Sequence, residues 1–130
     1  MQEVKLYLPG KPIAWARPGQ SAHGRYDTQR RAKDALGLII HNQLGIHKPL
    51  EGKIHLEAMF YMPEPKSLKA SESGGYHSKK PDIDNLLKFY LDVCKDFHVF
   101  HDDAQVSKVE MAKVYGGTRL GVVLTFEEIL

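Results

Sequence analysis

The sequence predicts a single α+β domain in which two helices pack on a mixed or antiparallel sheet. Its 130 residues are the length of one ordinary domain, and a content of 42% apolar and 26% charged residues is typical of a folded globular chain. Segments with alternating apolar residues predict strands, and two segments with apolar residues three or four positions apart predict helices. In chain order these segments predict a β-α-β-α-β-β arrangement, with residues 1–130 as one domain.

The first half of the chain contains a predicted strand, a loop and a helix. The alternating apolar residues of the strand are Val4, Leu6 and Leu8. Pro9-Gly10 ends this strand, and glycine, proline and polar residues predict a loop over 10–27. Thr28 is the predicted cap of a helix that runs to about residue 44. The apolar positions that follow the helical period are Ala32, Ala35, Leu36, Ile39, Ile40 and Leu44.

The second half contains a strand, a long loop, a helix and two further strands. Residues 53–62 alternate strictly, and the apolar face is formed by Ile54, Leu56, Ala58, Phe60 and Met62. A loop over 63–81 leads to a helix over 84–97, whose predicted core stripe is Leu87, Tyr90, Leu91 and Cys94. Strands are predicted over 106–115 and 119–126. Because Gly116-Gly117 is a turn signal, we expect these two strands to pair as a hairpin.

Composition excludes several classes of protein. Cys94 is the only cysteine in the chain, so neither an internal disulfide nor a cysteine-based zinc site is expected. No segment approaches the roughly 18 apolar residues that a membrane-spanning helix needs. The first ten residues lack the basic and apolar regions of a secretory signal. We therefore expect a protein of the reducing cytoplasm that does not contact a membrane.

Charge is distributed unevenly, although the formal net charge is only +2. Residues 10–33 carry one acid, Asp27, against six basic residues, which are Lys11, Arg17, Arg25, Arg30, Arg31 and Lys33. Residues 82–103 carry two lysines against six acids, which are Asp82, Asp84, Asp92, Asp96, Asp102 and Asp103. Basic segments around one acidic cluster are what a metal-dependent enzyme acting on a phosphate polymer needs. A solvated surface of mixed charge is the alternative.

The candidate catalytic residues surround the second predicted helix. Asp82 and Asp84 flank its start, and Lys88 follows one turn later on the face of Asp84. Asp102 and Asp103 lie between this helix and the next strand. Carboxylates without cysteine favour a hard cation, Mg²⁺ or Mn²⁺, bound together with a substrate phosphate. Each residue also has an ordinary alternative role, as a helix cap, a surface ion pair or a turn residue.

The motifs at these positions resemble the RusA-like Holliday junction resolvases, which are small bacterial and prophage endonucleases. The similar segments are KPIAWARPG at 11–19, PDIDNLLKFYLD at 81–92 and DDAQV at 102–106. The resemblance implies a RusA-like fold, Mg²⁺ dependence with Mn²⁺ as a substitute, and a homodimer that makes paired symmetric nicks across a four-way DNA junction in recombination and repair. Gly19, where many relatives have a basic residue, and the long loop over 63–81 depart from the family pattern.

The resemblance also implies roles for individual residues. It places the catalytic and metal-binding aspartates at Asp82, Asp84 and Asp103 and the catalytic lysine at Lys88, with Asp102 ranked below Asp103 as a metal ligand. A non-catalytic DNA-binding recombination accessory protein of the same fold is the first alternative function, and a purely structural interaction module is the second. Metal-dependent cleavage of DNA distinguishes the enzyme from both.

Basic residues without an evident structural task are the predicted DNA contacts, because phosphate contacts position a protein on DNA. They are Arg17, Arg25, Arg30, Arg31, Lys66, Lys69, Lys79 and Lys80. His77 is a further candidate for contact with a phosphate. Trp15 and Tyr76 are candidates to stack on unpaired bases, and a core position is the open alternative for Trp15.

Overall fold

Four long strands and two helices make up most of the structure, a computed structural model that describes residues 2–129. The elements in chain order are β1 (Glu3–Pro9), β2 (Gly19–Ser21), β3 (Gly24–Tyr26), α1 (Arg30–Leu44), β4 (Lys53–Met62), α2 (Ile83–Asp96), β5 (Val106–Tyr115) and β6 (Gly121–Ile129). Short 3-10 turns occur at Ala70–Glu72 and Asp103–Gln105. The predicted α+β class is confirmed, and within residues 2–129 no helix is long and apolar enough to cross a membrane.

The main sheet is mixed, with the strand order β1-β6-β4-β5. Strand β6 pairs antiparallel with both β1 and β4, whereas β5 pairs parallel with β4. The predicted hairpin of β5 and β6 is therefore wrong, because β4 lies between them. A tight turn does form, since the Arg119 amide donates to the Gly116 carbonyl at 2.9 Å. The Gly116 amide also donates to the Met62 carbonyl at 2.8 Å, so this turn crosses the end of β4.

One face of the sheet is buried under both helices. All five predicted inward residues of β4 are buried, and alternate residues of β1 and β6 join them. Helix α1 contributes Leu36 and Ile40, whereas Ala35 is exposed, contrary to the prediction. At Gly37 a Cβ atom would collide with the Phe97 ring, so this glycine allows α1 to approach the end of α2 closely. The opposite face of the sheet has no helix on it in the described chain.

The buried stripe of α2 is rotated from the predicted one. Its core residues are Leu86, Phe89, Tyr90, Val93 and Cys94. The predicted stripe is right for Tyr90 and Cys94, but Leu87 and Leu91 are only half-buried. Most positions between residues 86 and 94 are apolar, so the helical period alone does not choose between the two adjacent stripes. The sheet and α1 decide which one is covered.

The segment over 10–27 is more ordered than predicted. Strands β2 and β3 form a small antiparallel hairpin, which has no hydrophobic alternation to reveal it because its residues are mostly exposed. The prediction of Thr28 as a helix cap is also wrong. Its hydroxyl donates to the Arg17 carbonyl at 3.5 Å, and α1 begins two residues later, after Gln29.

The end of the loop over 63–81 is attached to the edge of the sheet. Tyr76 forms an antiparallel bridge with Val114 of β5. The His77 amide donates to the Lys113 carbonyl at 3.0 Å, and the Tyr115 amide donates to the Gly75 carbonyl at 2.8 Å. These bonds place the chain beside β5 just before it enters α2.

Candidate active site on helix α2

The approach to α2 is fixed by a lysine of the neighbouring strand. The half-buried Lys113 donates its ammonium to the Lys79 carbonyl at 2.7 Å and to the Pro81 carbonyl at 2.8 Å. Asp82 follows at the N-cap position of α2, but within the described chain its side chain makes no capping hydrogen bond. Instead it accepts a hydrogen bond from Lys80 at 2.9 Å, and 53% of the Asp82 side chain is exposed. The capping alternative for Asp82 is therefore wrong.

Asp84, Lys88 and Asp92 lie four residues apart along one face of α2. Among residues 2–129 no ion pair within 4.0 Å joins Asp84 to Lys88, so the surface-pair alternative is wrong as well. The Lys88 ammonium lies 3.6 Å from the centre of the Trp15 ring. This is a cation–π contact, and Trp is the best aromatic partner for one. The exposed Asp84 carboxylate is thus left to solvent.

The segment that carries Trp15 is held against both helices. The Trp15 amide donates to the Asn85 carbonyl at 2.9 Å, and the Ile13 amide donates to the Tyr90 hydroxyl oxygen at 3.1 Å. Burial raises the pKa of Tyr90 to about 12, so this phenol stays protonated at neutral pH. The Gln29 side chain bonds to the backbone on both sides of Trp15. The half-buried Trp15 packs partly on the core and partly lines an open cleft, so the core alternative holds in part and stacking on bases stays a prediction.

Asp102 and Asp103 have different environments. The Asp102 carboxylate accepts from the Ala104 amide at 3.0 Å, and the Gln105 side chain accepts from the Asp102 amide at 2.8 Å. This capping box commits Asp102 to the 3-10 turn, as its ordinary alternative predicted. In contrast, the Asp103 Oδ1 atom is buried and has no hydrogen-bond partner within residues 2–129. A buried carboxylate oxygen without a partner is energetically unfavourable, and a bound cation would satisfy it.

Asp92 is a member of this cluster that the sequence analysis did not select. Burial raises the pKa of Asp92, and Asp103 raises it further, while Lys33 opposes the shift. The Lys33 ammonium lies 3.9 Å from the Asp92 carboxylate and 2.9 Å from that of Asp27. Asp103 also contributes, after burial, to the raised pKa of the Cys94 thiol. Asp103 is therefore close to the middle of α2. Asp92 could have been selected from the sequence, because its spacing of eight residues from Asp84 places both on the same face of α2.

The predicted carboxylates are not gathered into a tight cage. Among the described residues the aspartates of the predicted set do not form a group of three with oxygens within 4.8 Å of one another. Asp82 and Asp84 lie at the start of α2, and Asp103 lies against its middle. The donors are all carboxylates, and one of their oxygens is buried and unpartnered, so the chemistry of the set fits a hard divalent cation.

Two of the predicted DNA contacts line a cleft beside Trp15. Arg17 and Arg25 border an open cavity of about 650 Å³ together with Trp15 and Pro18. A second cleft, of about 350 Å³, is lined by Arg25, Tyr26, Lys33 and Asp92 among others. The positive and negative segments of the sequence therefore meet at this place.

The other basic residues differ in their exposure and in their ion pairs. Arg30 forms ion pairs with Asp34 at 3.0 Å and Asp96 at 3.1 Å, so it has a structural task as well. Lys33, the third cation near the start of α1, is only 7% exposed and forms ion pairs with Asp27 and Asp92. The exposed remainder consists of Arg31, Lys66, Lys69, Lys79 and Lys80.

A known protein family matches most of the chain. The sequence model described as endodeoxyribonuclease RusA matches residues 9–125. The chain belongs to the RusA family. The match confirms the resemblance found in the sequence motifs, and it includes the RusA-like segments around Trp15, α2 and Asp103. Membership in RusA, an endodeoxyribonuclease family, supports nuclease activity. A search of curated proteins found no match.

Proposed function

We propose that this RusA protein is a Mg²⁺-dependent, structure-selective DNA endonuclease that resolves four-way junctions by paired symmetric nicks in recombination and repair. The observation that carries the proposal is the family match over residues 9–125, which includes the acidic face of α2 and the cleft beside it. We place this activity in the cytoplasm. Four-way DNA is the expected partner, since a basic cleft next to carboxylates suits a phosphate polymer that is cut.

The metal ligands in this proposal are Asp82, Asp84 and Asp103, with Asp102 ranked below Asp103 because one of its carboxylate oxygens caps the 3-10 turn. Their donors are oxygens only, which favours Mg²⁺, with Mn²⁺ as a substitute. When bound, such an ion polarises the phosphoryl group and favours a hydroxide nucleophile at neutral pH. Asp92 belongs to the supporting environment, because it is close to Lys33, is influenced by the charge of Asp103, and has a pKa that burial raises.

Lys88 is the proposed stabiliser of negative charge on the phosphate in the transition state. Its ammonium is not neutralised by Asp84 in the described chain, so its full charge is available to a phosphate. The Trp15 ring at 3.6 Å restricts where this ammonium lies, and the backbone bond from Trp15 to Asn85 attaches the ring to the first turn of the same helix. Lys88 is thereby pre-positioned before DNA arrives.

DNA binding is assigned to the exposed basic residues on either side of the acidic face. Arg17 and Arg25 border the cleft beside Trp15, and Lys79 and Lys80 precede Asp82. A homodimer is part of the proposal, because a junction is approximately two-fold and a two-fold dimer supplies two identical sites at a fixed separation.

The test is a cleavage assay on a synthetic four-way junction, labelled on each strand in turn, with Mg²⁺, Mn²⁺ or EDTA. We expect paired symmetric nicks with either metal and none with EDTA. The Asp82→Asn variant should lose cleavage but keep or strengthen junction binding, since it removes a negative charge near a polyanion. Glu3→Gln, a change of an exposed carboxylate at the start of β1, is the control and should cut at the wild-type rate.

Two results would contradict the proposal. Tight junction binding without cuts in any metal would favour the non-catalytic accessory protein. Cleavage by Asp82→Asn at the wild-type rate would remove this residue from the site.

A further inference from the structure

The face of the sheet opposite the helices carries a second cluster of potential metal ligands. His55 and Glu57 lie on this face of β4, two residues apart, and Glu110 lies beside them on β5. The parallel register of β4 and β5 pairs Glu57 directly with Glu110. The ligand atoms of all three side chains lie within 4.8 Å of one another, and within residues 2–129 this is the one group of three with that property.

We propose that His55, Glu57 and Glu110 bind a first-row transition-metal ion, with Zn²⁺ as the reference cation, at a site separate from the DNA-cutting face. The proposal does not depend on the nuclease function. It rests on the position of the imidazole nitrogen, the pairing of two carboxylates, and the chemistry of the three donors.

The imidazole nitrogen of His55 lacks a normal hydrogen bond. Its Nε2 atom is buried and has no hydrogen-bond partner in the described chain. Yet this atom lies only 3.1 Å from the Glu110 Oε1 atom. The two atoms are close without forming a hydrogen bond. A close but unbonded imidazole nitrogen and carboxylate oxygen are what two ligands of one ion present.

The two glutamates oppose each other directly across the strand pair, and the Lys108 ammonium compensates Glu110 only in part. Like charges at directly paired positions of adjacent strands are destabilising. The other charged groups of this face are Lys5, Lys53, Lys108, Glu3 and Glu127. The Lys108 ammonium lies 3.6 Å from Glu110, and the register pairs Glu127 with His55. Three lysines against four glutamates leave the face slightly negative, which suits a divalent cation.

The donor set selects the kind of metal. One imidazole nitrogen with two carboxylate oxygens suits a borderline cation such as Zn²⁺ better than Mg²⁺, which prefers oxygen donors and water. Donors to Zn²⁺ lie about 2.0–2.2 Å from the ion. In tetrahedral coordination two donors on one ion are therefore about 3.3–3.6 Å apart. The His55 Nε2 atom lies 3.1 Å from the Glu110 Oε1 atom, close to this separation. The exposed Glu57 and Glu110 side chains are free to turn and complete the set.

Such an ion would connect the edge strand of the sheet to its neighbour. Strand β5 pairs with β4 on one side only, apart from the single bridge between Val114 and Tyr76. The strand also carries Lys113, whose side chain donates a hydrogen bond to the segment before α2. It begins directly after the 3-10 turn that contains Asp103. We infer a structural rather than a catalytic site, which fastens β5 without taking part in DNA cleavage.

The experiment uses the full chain after removal of metals with EDTA. Zn²⁺ binding is followed by calorimetry, and Co²⁺ binding by its visible absorption, for wild type, His55→Gln and Glu110→Gln. We expect one ion per chain in wild type and at least a tenfold weaker affinity in each variant. Glu72→Gln, which changes an exposed glutamate of a distant loop, is the matched control and should bind as wild type.

A second comparison separates this site from the aspartates of α2. The Asp82→Asn variant should keep the high-affinity Zn²⁺ site, and His55→Gln should keep wild-type junction cleavage with Mg²⁺. Zn²⁺ affinity that is lost in Asp82→Asn and retained in His55→Gln would overturn the proposal. So would a wild-type protein that binds no Zn²⁺, because His55 and Glu110 would then form only a charged surface pair.

Discussion

Replacing Trp15 with leucine should slow DNA cleavage by loosening Lys88. Leucine keeps an apolar side chain against the core but removes the aromatic face that lies 3.6 Å from the Lys88 ammonium. The backbone bond from residue 15 to Asn85 does not involve the side chain, so the segment should stay in place. The change therefore targets the position of one charge rather than the fold.

The size of the effect follows from the contact. A cation–π interaction contributes about 0.5–1 kcal/mol at an exposed site and about 2 kcal/mol when it is desolvated. Lys88 is exposed and Trp15 is half-buried, which places this pair near 1 kcal/mol. If the ring holds Lys88 in its working position, the loss lowers the cleavage rate by about fivefold, since about 1.4 kcal/mol corresponds to tenfold. Trp15→Phe retains an aromatic face and should lose less.

Two assays check this reasoning. Single-turnover cleavage of a junction at saturating enzyme measures the rate apart from DNA affinity. A double-mutant cycle of Trp15→Leu and Lys88→Gln, followed by urea unfolding, measures the coupling between the two side chains. We expect a coupling of about 1 kcal/mol. A coupling near zero, or a Trp15→Leu rate within twofold of wild type, would refute the positioning role, and a loss of affinity alone would assign Trp15 to base stacking.

Three further predictions concern charge. The double variant Lys79→Ala, Lys80→Ala should weaken junction binding. It should also reduce the slope of log K against log salt by about 2, because each phosphate contact contributes about 0.9 to that slope. An unchanged slope would show that neither lysine contacts the DNA. Lys33→Ala should lower the free energy of unfolding at pH 7 by about 2 kcal/mol, because it leaves two partly exposed carboxylates without their buried partner. The hydrogen bond from Lys33 lowers the pKa of Asp27, so this difference between variant and wild type, measured by urea unfolding, should shrink as the pH falls below about 4. Asp92→Asn should raise the Tm of metal-free protein at pH 7 by about 2–4 °C. The reason is that burial raises the pKa of Asp92 and thus disfavours its ionised form in the fold. The gain in Tm should vanish below about pH 4, because the carboxyl group is then protonated in both the folded and the unfolded state.

Local sequence signals predicted the elements of this fold better than their pairing. The strict alternation of β4 fixed its bounds and its inward residues, because alternation reports directly which side of a strand is buried. The Gly-Gly turn after β5 was also real. The pairing of β5 with β6 across that turn was predicted wrongly. The position of β6 between β1 and β4 depends on the whole sheet and not on the turn residues.

The candidate site, like the fold, was predictable from the sequence only in part. The motifs around Asp82 and Asp103 were sufficient to predict the family, which the match over residues 9–125 confirms. The contacts that explain these residues were not predictable from spacing. The Trp15 ring over Lys88 joins residues 73 positions apart, and the bonds from Lys113 to the approach to α2 span more than 30 positions. Such contacts arise from tertiary packing, which no single-sequence period reports.

The electrostatics of α2 argue that its acidic face is maintained for binding rather than for stability. Neither the cap at Asp82 nor the pair of Asp84 with Lys88 is formed within the described residues, although each would contribute about 0.3–1 kcal/mol. Asp92 has a raised pKa, and the Asp103 oxygen is buried without a partner. Asp92 and Asp103 are thus each unfavourable as ionised groups in the protein alone, and a divalent cation bound at Asp103 would satisfy its buried oxygen. Mg²⁺ should therefore raise the stability of wild type by mass action but raise that of Asp103→Asn much less.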